Sequence, residues 1–232
     1  YACNGHTRLI VVTGFTEFTI FTHSRPLYMT SKRWHFALLG TFLLILVWSG
    51  INPKNHFIWI LEVFPAIIGA IVLVAIYPKI KLTMLVYCLI WLHALVLILG
   101  GHWTYAEMPL FNWLRDEFGL ARNYYDRLGH LMQGAVPAII AREVFLRNKI
   151  VNGRGWLFFI VTCVCLAISA FYEFIEWWVA VSSGTAADDF LATQGDVWDT
   201  QWDMFMALCG AVASQLLLAR WHDRQLADLG RR

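Results

Sequence analysis

A long uncharged apolar run constrains the fold of this chain more than any other feature. The segment GWLFFIVTCVCLAISAF carries no charged residue between Gly155 and Phe171. Similar runs of about 17 to 22 residues recur, and each is long enough to cross a hydrocarbon core of roughly 30 Å. The composition agrees, because 59% of the residues are hydrophobic, 15% are charged and the mean hydropathy is +0.56. Soluble proteins have a much more polar composition.

The runs predict an all-α fold, a polytopic transmembrane helical bundle with six spans. The predicted spans cover residues 34–50, 57–77, 82–100, 128–146, 155–179 and 202–221. Residues 34–221 are therefore expected to form one transmembrane domain. Residues 1–33 are expected to be an N-terminal extension that is non-native or disordered, and residues 222–232 a cytoplasmic tail.

Composition and motifs exclude several classes of function. A net charge of +2 without a basic patch gives no indication of a nucleic-acid partner. The predicted spans make the lipid bilayer the expected partner. The five cysteines form no CxxC pair, which favours packing over disulfides or thiolate zinc. The sequence contains no GxSxG, HExxH, P-loop or glycine-rich dinucleotide motif.

The distribution of Lys and Arg predicts the orientation in the membrane, because cytoplasmic loops of membrane proteins are enriched in these residues. With six spans and an inner N-terminus, thirteen basic residues from Arg25 onward fall on the inner side and four on the outer side. The outer four are Lys54, Arg115, Arg122 and Arg127. The bias predicts a bacterial inner-membrane protein with both termini in the cytoplasm.

Ionisable residues gather at the outer ends of the predicted spans. Asp126 and His130 are four residues apart, and Glu173 and Glu176 are three apart, so each pair shares one helical face. The same level receives His102, Glu107, Asp196, Asp199, Asp203 and, somewhat deeper, Glu62. Because so many carboxylates cannot all stay ionised near hydrocarbon, they require arginines, shared protons or a cation.

This convergence predicts an outward-facing His/carboxylate pocket that holds a divalent metal, with Zn, Mn or Fe favoured by mixed imidazole and carboxylate ligands. The expected metal ligands are His102, Asp126, His130 and Asp199. The expected catalytic group is Glu173, Glu176 and Asp203, and the expected substrate-binding group is Tyr105, Arg122, Tyr125 and Arg127.

Each signal has a simpler structural interpretation that the sequence leaves open. Glu173 and Glu176 could be solvated interfacial acids beside Trp177 and Trp178. Asp196 and Asp199 could cap the last helix, and His102 could be an ordinary loop residue. Asp126 and His130 could form an ion pair that stabilises a helix start.

Four ordered motifs add a resemblance to a known family. The segments GGHWTYAEMPLFNW, RNYYDRLGHLMQG, AFYEFIEWW and GDVWDTQWDMFMALCGA resemble those of the YjdF-type bacterial inner-membrane proteins. This resemblance implies a six-span inner-membrane protein of unassigned function and supplies no reaction. A more distant similarity links DMFMALCGA to the VanZ-like proteins, whose last helix has an Asp, then an Asn and then a Gly. Asp203 and Gly210 match that spacing, whereas Ala207 stands where those proteins have Asn.

The favoured hypothesis is a metal-dependent hydrolase or transferase that acts on a lipid-linked or envelope substrate. Metal-bound water would be the nucleophile, and a carboxylate such as Glu173 would be the general base. The alternatives are a non-catalytic membrane factor, whose acids form a structural salt-bridge network, and a small-solute transporter. A transporter is disfavoured because His93 is the one ionisable residue near the middle of a predicted span.

Overall fold

The computed structural model describes residues 27–183 and 191–230. Within these ranges the chain is helical and forms no strand. The helices are α1 Leu27–Ser49, α2 His56–Ile76, α3 Met84–Trp103, α4 Pro109–Phe118, α5 Tyr125–Arg147, α6 Arg154–Ser183 and α7 Asp199–Gly230, with a 3₁₀ turn at Tyr105–Glu107. The expected all-α helical class is confirmed.

The predicted number of six membrane spans is wrong. In the described part of the chain, four helices are long and apolar enough to cross a membrane, namely α2, α3, α6 and α7. Helix α1 opens with Lys32, Arg33 and His35, and α5 carries charged residues near both ends, so both are too polar. The polar side chains of α5 are accommodated because α5 packs against α3, α6 and α7.

Local signals set the helix ends that position the site. The Asn55 side chain caps α2 by accepting from the backbone N–H of Phe57 at 2.9 Å. Thr83 caps α3 through a hydrogen bond from the N–H of Val86. Successive long helices run in opposite directions. Five helix ends therefore meet at one end of the bundle, namely the start of α2, the end of α3, the start of α5, the end of α6 and the start of α7.

Two glycines allow α5 and α7 to cross with their backbones almost touching. A Cβ on Gly134 would lie 1.8 Å from the carbonyl oxygen of Ala207, and a Cβ on Gly210 would lie 2.0 Å from that of Leu131. Both positions therefore exclude any larger residue without separation of the helices. The small Ala207 is part of this crossing, which gives a packing reason for its place in the last helix.

The ends of the chain differ from the expected domain limits. Of the predicted extension, residues 1–26 lie outside the described residues, and α1 already begins at Leu27. The predicted tail starting at residue 222 instead continues α7 to Gly230, and its first residue, His222, is fully buried. Helix α4, which was not predicted, buries none of its ten residues and has one apolar face.

Candidate functional site

Helices α5, α6 and α7 bring five ionisable side chains together at one end of the bundle. These are Asp126, His130, Glu173, Glu176 and Asp203, here called the His130 cluster. The imidazole Nε2 of His130 lies 3.5 Å from Asp126 Oδ1 and 3.7 Å from Asp203 Oδ1. Its Nδ1 lies 3.7 Å from Glu173 Oε1. The one-turn spacing of Asp126 and His130 thus points both side chains at α7.

The His130 cluster contains two sets of three potential metal ligands. In the first set, ligand atoms of Asp126, His130 and Asp203 all lie within 4.8 Å of one another. In the second, the same holds for His130, Glu173 and Glu176. His130 belongs to both sets, so it is the central residue of the cluster.

Two buried arginines balance part of the negative charge beside the cluster. Arg122 donates to Asp199 Oδ1 at 2.5 Å, and Arg127 donates to the same oxygen at 2.6 Å. Arg127 also pairs with Asp203, and it reaches Asp196 Oδ2 at 3.2 Å. Asp199, which was expected to bind metal, therefore accepts from two guanidinium groups instead. These ion pairs also occupy the arginines that were expected to bind substrate.

Several buried polar atoms of this region have no hydrogen-bond partner among the residues that the structure describes. They include Oδ2 of Asp126, Oε1 of Glu173 and Nε of Arg122. The side chains of Asp126 and Glu173 are only 6% and 7% exposed. A buried carboxylate oxygen without a partner loses its hydration at a cost of about 1–3 kcal/mol or more. Asp126 Oδ2 lies 3.8 Å from both Arg122 and Arg127, and Glu173 Oε1 lies 3.7 Å from His130. These contacts are longer than hydrogen bonds, so both oxygens can accept a closer cation or a proton.

Tyr105 forms the wall of the site toward α2 and α3. Its ring fits between two glycines, because a Cβ on Gly100 would lie 2.2 Å from the ring and one on Gly129 would lie 2.9 Å from it. The Tyr105 hydroxyl is near the buried carboxyl group of Glu62. Burial, and then the nearby Glu62, raise the pKa of the Tyr105 phenol well above its ordinary value. Tyr105 is therefore a proton donor in hydrogen bonds rather than a phenolate.

Two residues expected in the pocket have other surroundings. Tyr125 is buried in the core, where its hydroxyl donates to the carbonyl of Val96 at 2.8 Å. The prediction that His102 joins the same cluster as His130 is corrected by the structure. Nδ1 of His102 lies 2.8 Å from the carbonyl oxygen of Ser49, and the His102 ring packs 4.7 Å from that of Trp48. Helix α3 continues through Trp103, which turns His102 toward the end of α1.

Sequence reasoning missed two polar neighbours of the cluster. Gln133 Oε1 lies 3.0 Å from Nδ1 of His130, and the Thr200 side chain is near Glu173. The three-residue spacing of His130 and Gln133 on one helical face is the signal that could have identified Gln133. Thr200 carries no comparable signal, because its partner comes from another helix.

A second buried polar cluster at the opposite end of α5 and α7 was also missed. It consists of Thr83, Arg142, Glu143, His222 and Asp223, here called the Glu143 cluster. The carboxylate of Glu143 accepts from the Thr83 hydroxyl at 2.7 Å and lies 3.0 Å from His222 Nε2. Arg142 lies 2.8 Å from the other ring nitrogen of His222 and pairs with Asp223 at 2.6 Å. The sequence signal that could have identified this cluster is the pair of adjacent opposite charges, Arg142 and Glu143, inside the predicted span 128–146.

Comparison with known proteins identifies the family. Residues 34–224 match the family described as "Predicted membrane protein (DUF2238)". The chain is also 50% identical over 190 residues to "Inner membrane protein YjdF" of Escherichia coli strain K12, which covers 82% of this chain and 91% of that protein. No solved structure matches the chain. The match over most of its length shows that this chain belongs to the DUF2238 family of membrane proteins.

Proposed function

We propose that this inner-membrane protein binds a divalent cation in the His130 cluster and uses it in hydrolysis or group transfer on a lipid-linked or envelope substrate. One observation carries the proposal. The two three-ligand sets share His130, and each contains a buried carboxylate oxygen that lacks a partner, Asp126 Oδ2 in one and Glu173 Oε1 in the other. The two sets lie at opposite ring nitrogens of His130, so a cation bound by either set would give the unpartnered oxygen of that set a ligand bond.

The donor types favour a transition metal over Mg²⁺ or Ca²⁺. Hard cations prefer all-oxygen sites, whereas imidazole together with carboxylates suits Zn²⁺, Mn²⁺ or Fe²⁺. His130 supplies the imidazole, and Asp126 and Asp203 supply carboxylates from two different helices. Gln133 contacts the ring of His130 from the side and can fix its orientation, as outer-shell partners of metal-binding histidines do.

The remaining residues have roles that do not depend on which metal binds. A bound divalent ion would lower the pKa of a coordinated water and so supply a nucleophile near neutral pH. Glu173 is suited to accept a proton, because its Oε1 has no hydrogen-bond partner. Arg127 holds Asp203 and Asp199 in place through its ion pairs. It is therefore a positioning residue.

The surroundings of the cluster favour a substrate that arrives with the membrane lipid. Trp177, Trp178 and Trp202 lie near the same helix ends, and each is about half exposed. Exposed tryptophans at one level are typical of the boundary between lipid and water. A substrate carried on a lipid would have its reacting group at this depth.

We propose that the His130 cluster faces away from the cytoplasm. The opposite end of the bundle carries most of the basic residues near helix ends, including Lys79, Lys81, Arg147, Lys149 and Arg154. Positive residues near helix ends favour the cytoplasmic side. A reporter fused to the C-terminus should be active in its cytoplasmic form, whereas an exported reporter would reverse this orientation.

A non-catalytic role remains the second candidate, favoured by the ion pairs of Arg122 and Arg127 with Asp199 and Asp203. In that case the acids would hold the helix ends together without a metal. The two candidates differ in whether the purified protein retains a cation.

Elemental analysis of detergent-purified protein tests the proposal. The wild type should contain close to one equivalent of Zn, Mn or Fe, and His130→Ala and Asp126→Asn, which each remove a ligand, should lose most of it. His56→Ala is the matched control, because His56 is an exposed histidine at the same end of the bundle. Equal metal in all four proteins, or negligible metal in the wild type, would favour the structural network.

A further inference from the structure

A narrow groove of about 220 Å³ runs between α1, α2 and α3, separate from both polar clusters. Along α2 its lining extends from Ala66 to Tyr77, a length of about 16 Å at 1.5 Å per residue. Phe42, Ala66 and Ala94 are buried and close its deep end. The groove is therefore long relative to its volume.

The groove opens sideways, toward the position of the lipid tails around the bundle. Phe36 and Val74 form part of its lining and are 68% and 55% exposed. Sites for compact ligands usually have volumes of about 300–1,000 Å³ and enclose the ligand. A smaller, elongated and laterally open groove fits one linear hydrocarbon chain better than a compact molecule.

Polar and basic groups occupy one end of the groove. His35 Nδ1 lies 3.0 Å from the hydroxyl of Tyr77, and the Tyr87 ring packs 4.4 Å from that of His35. The Lys81 ammonium lies 5.9 Å from the centre of the Tyr77 ring. A lysine at the polar end of an apolar groove complements the phosphate of an anionic lipid.

We infer that this groove binds one hydrocarbon chain of a lipid with an anionic phosphate headgroup, and that Lys81 faces the headgroup. The inference does not depend on the metal proposal, because the groove and the His130 cluster share no residue. The closed apolar end accounts for the chain, and the His35, Tyr77 and Lys81 end accounts for the charge of the headgroup.

Native mass spectrometry of delipidated protein tests this inference with phosphatidylglycerol and phosphatidylcholine of identical chains. The wild type should retain more phosphatidylglycerol than phosphatidylcholine. Ala70→Phe places a ring in the groove and should remove most of the bound phosphatidylglycerol. Lys81→Gln should lower the preference for phosphatidylglycerol by roughly fivefold, the effect of one lysine beside an anionic lipid.

Two matched controls separate the groove from general effects on the protein. Ala75→Phe adds the same ring to the same helix at an exposed position outside the groove, and Lys149→Gln removes an exposed lysine elsewhere. Both should bind lipid as the wild type does. Equal retention of the two lipids by the wild type, or unchanged lipid binding in Lys81→Gln, would overturn the inference even if Ala70→Phe fails to fold.

Discussion

The two polar clusters at opposite ends of α5 and α7 are built from similar side chains but differ in how completely these are paired. In the Glu143 cluster, Glu143 receives hydrogen bonds from the N–H and hydroxyl of Thr83 and from Arg147, and it contacts His222. In the His130 cluster, one buried oxygen each of Asp126 and Glu173 has no hydrogen-bond partner among the described residues. Both clusters use α5 and α7, and each adds one further element, α6 for the His130 cluster and the N-cap of α3 for the Glu143 cluster.

Charge explains the difference. Within the Glu143 cluster and its neighbour Arg147, two arginines face two carboxylates, Glu143 and Asp223. Around the His130 cluster, the two arginines contact Asp126, Asp196, Asp199 and Asp203, and Glu173 and Glu176 lie beyond them. A balanced and fully bonded network is suited to hold helices together, whereas an unbalanced one has room for a further cation.

The largest effect is expected from Glu143→Ala. This change leaves the N–H and hydroxyl of Thr83 and the His222 ring without their common acceptor, and it removes the ion pair with Arg147. Removal of one partner from a buried ionic network destabilises a protein by about 3–5 kcal/mol. Thermal unfolding in detergent should show a large decrease in Tm. Asp228→Ala, which removes an exposed acid on α7, should unfold as the wild type does.

The next largest effect is expected from Gly210→Ala, which should disturb both clusters together. The new Cβ would lie 2.0 Å from the carbonyl oxygen of Leu131, so α5 and α7 must separate. Overpacking of this kind costs about 1–3 kcal/mol. Gly69→Ala is the control, because a Cβ there meets nothing within 4 Å. Equal stability of both variants would show that the close helix crossing is not required.

His102→Ala should have a smaller effect, confined to the contact between α3 and α1. The variant loses the hydrogen bond to the Ser49 carbonyl, which contributes about 1 kcal/mol. Metal content should be unchanged, because His102 lies outside the His130 cluster. If His102→Ala loses metal as His130→Ala does, the original prediction of a shared site would be restored.

The smallest effect on stability is expected from Glu173→Gln in metal-free protein. Glu173 has an unpartnered oxygen and lies beside other carboxylates, so neutralisation relieves repulsion as well as removing contacts. We expect Tm in chelator to stay unchanged or to rise slightly, in contrast to Glu143→Ala. A large decrease in Tm would place Glu173 in a structural network like that of Glu143.

The sequence predicted the class of the fold and the centre of the candidate site for one physical reason. Helical periodicity places Asp126 with His130 and Glu173 with Glu176, and antiparallel helices bring their ends together. The count of six spans failed because the prediction relied on the apolar part of each run. Lys32 and Arg33 in α1, and Arg142 and Glu143 in α5, make these two helices less apolar than the other four.

The remaining errors come from contacts between distant parts of the chain. His102 turns toward Ser49 because α3 extends to Trp103 and the chain then reverses at Thr104, which has a φ of 62°. Glu143 and His222 meet across 79 positions of sequence, and no local pattern reports such a pairing. Spacing predicts which side chains share a face, whereas the partner of that face depends on tertiary packing.

The most direct test asks whether the His130 cluster is a cation site and the Glu143 cluster is not. The measurement is thermal unfolding of chelator-treated protein during titration with Mn²⁺ or Zn²⁺. A ligand at a hundred times its Kd stabilises the folded state by about 2.7 kcal/mol. The wild type and Asp223→Asn, a conservative change in the Glu143 cluster, should therefore show a metal-dependent rise in Tm, and His130→Ala should show none. The same rise in His130→Ala, or no rise in the wild type, would contradict the assignment of the His130 cluster as a cation site.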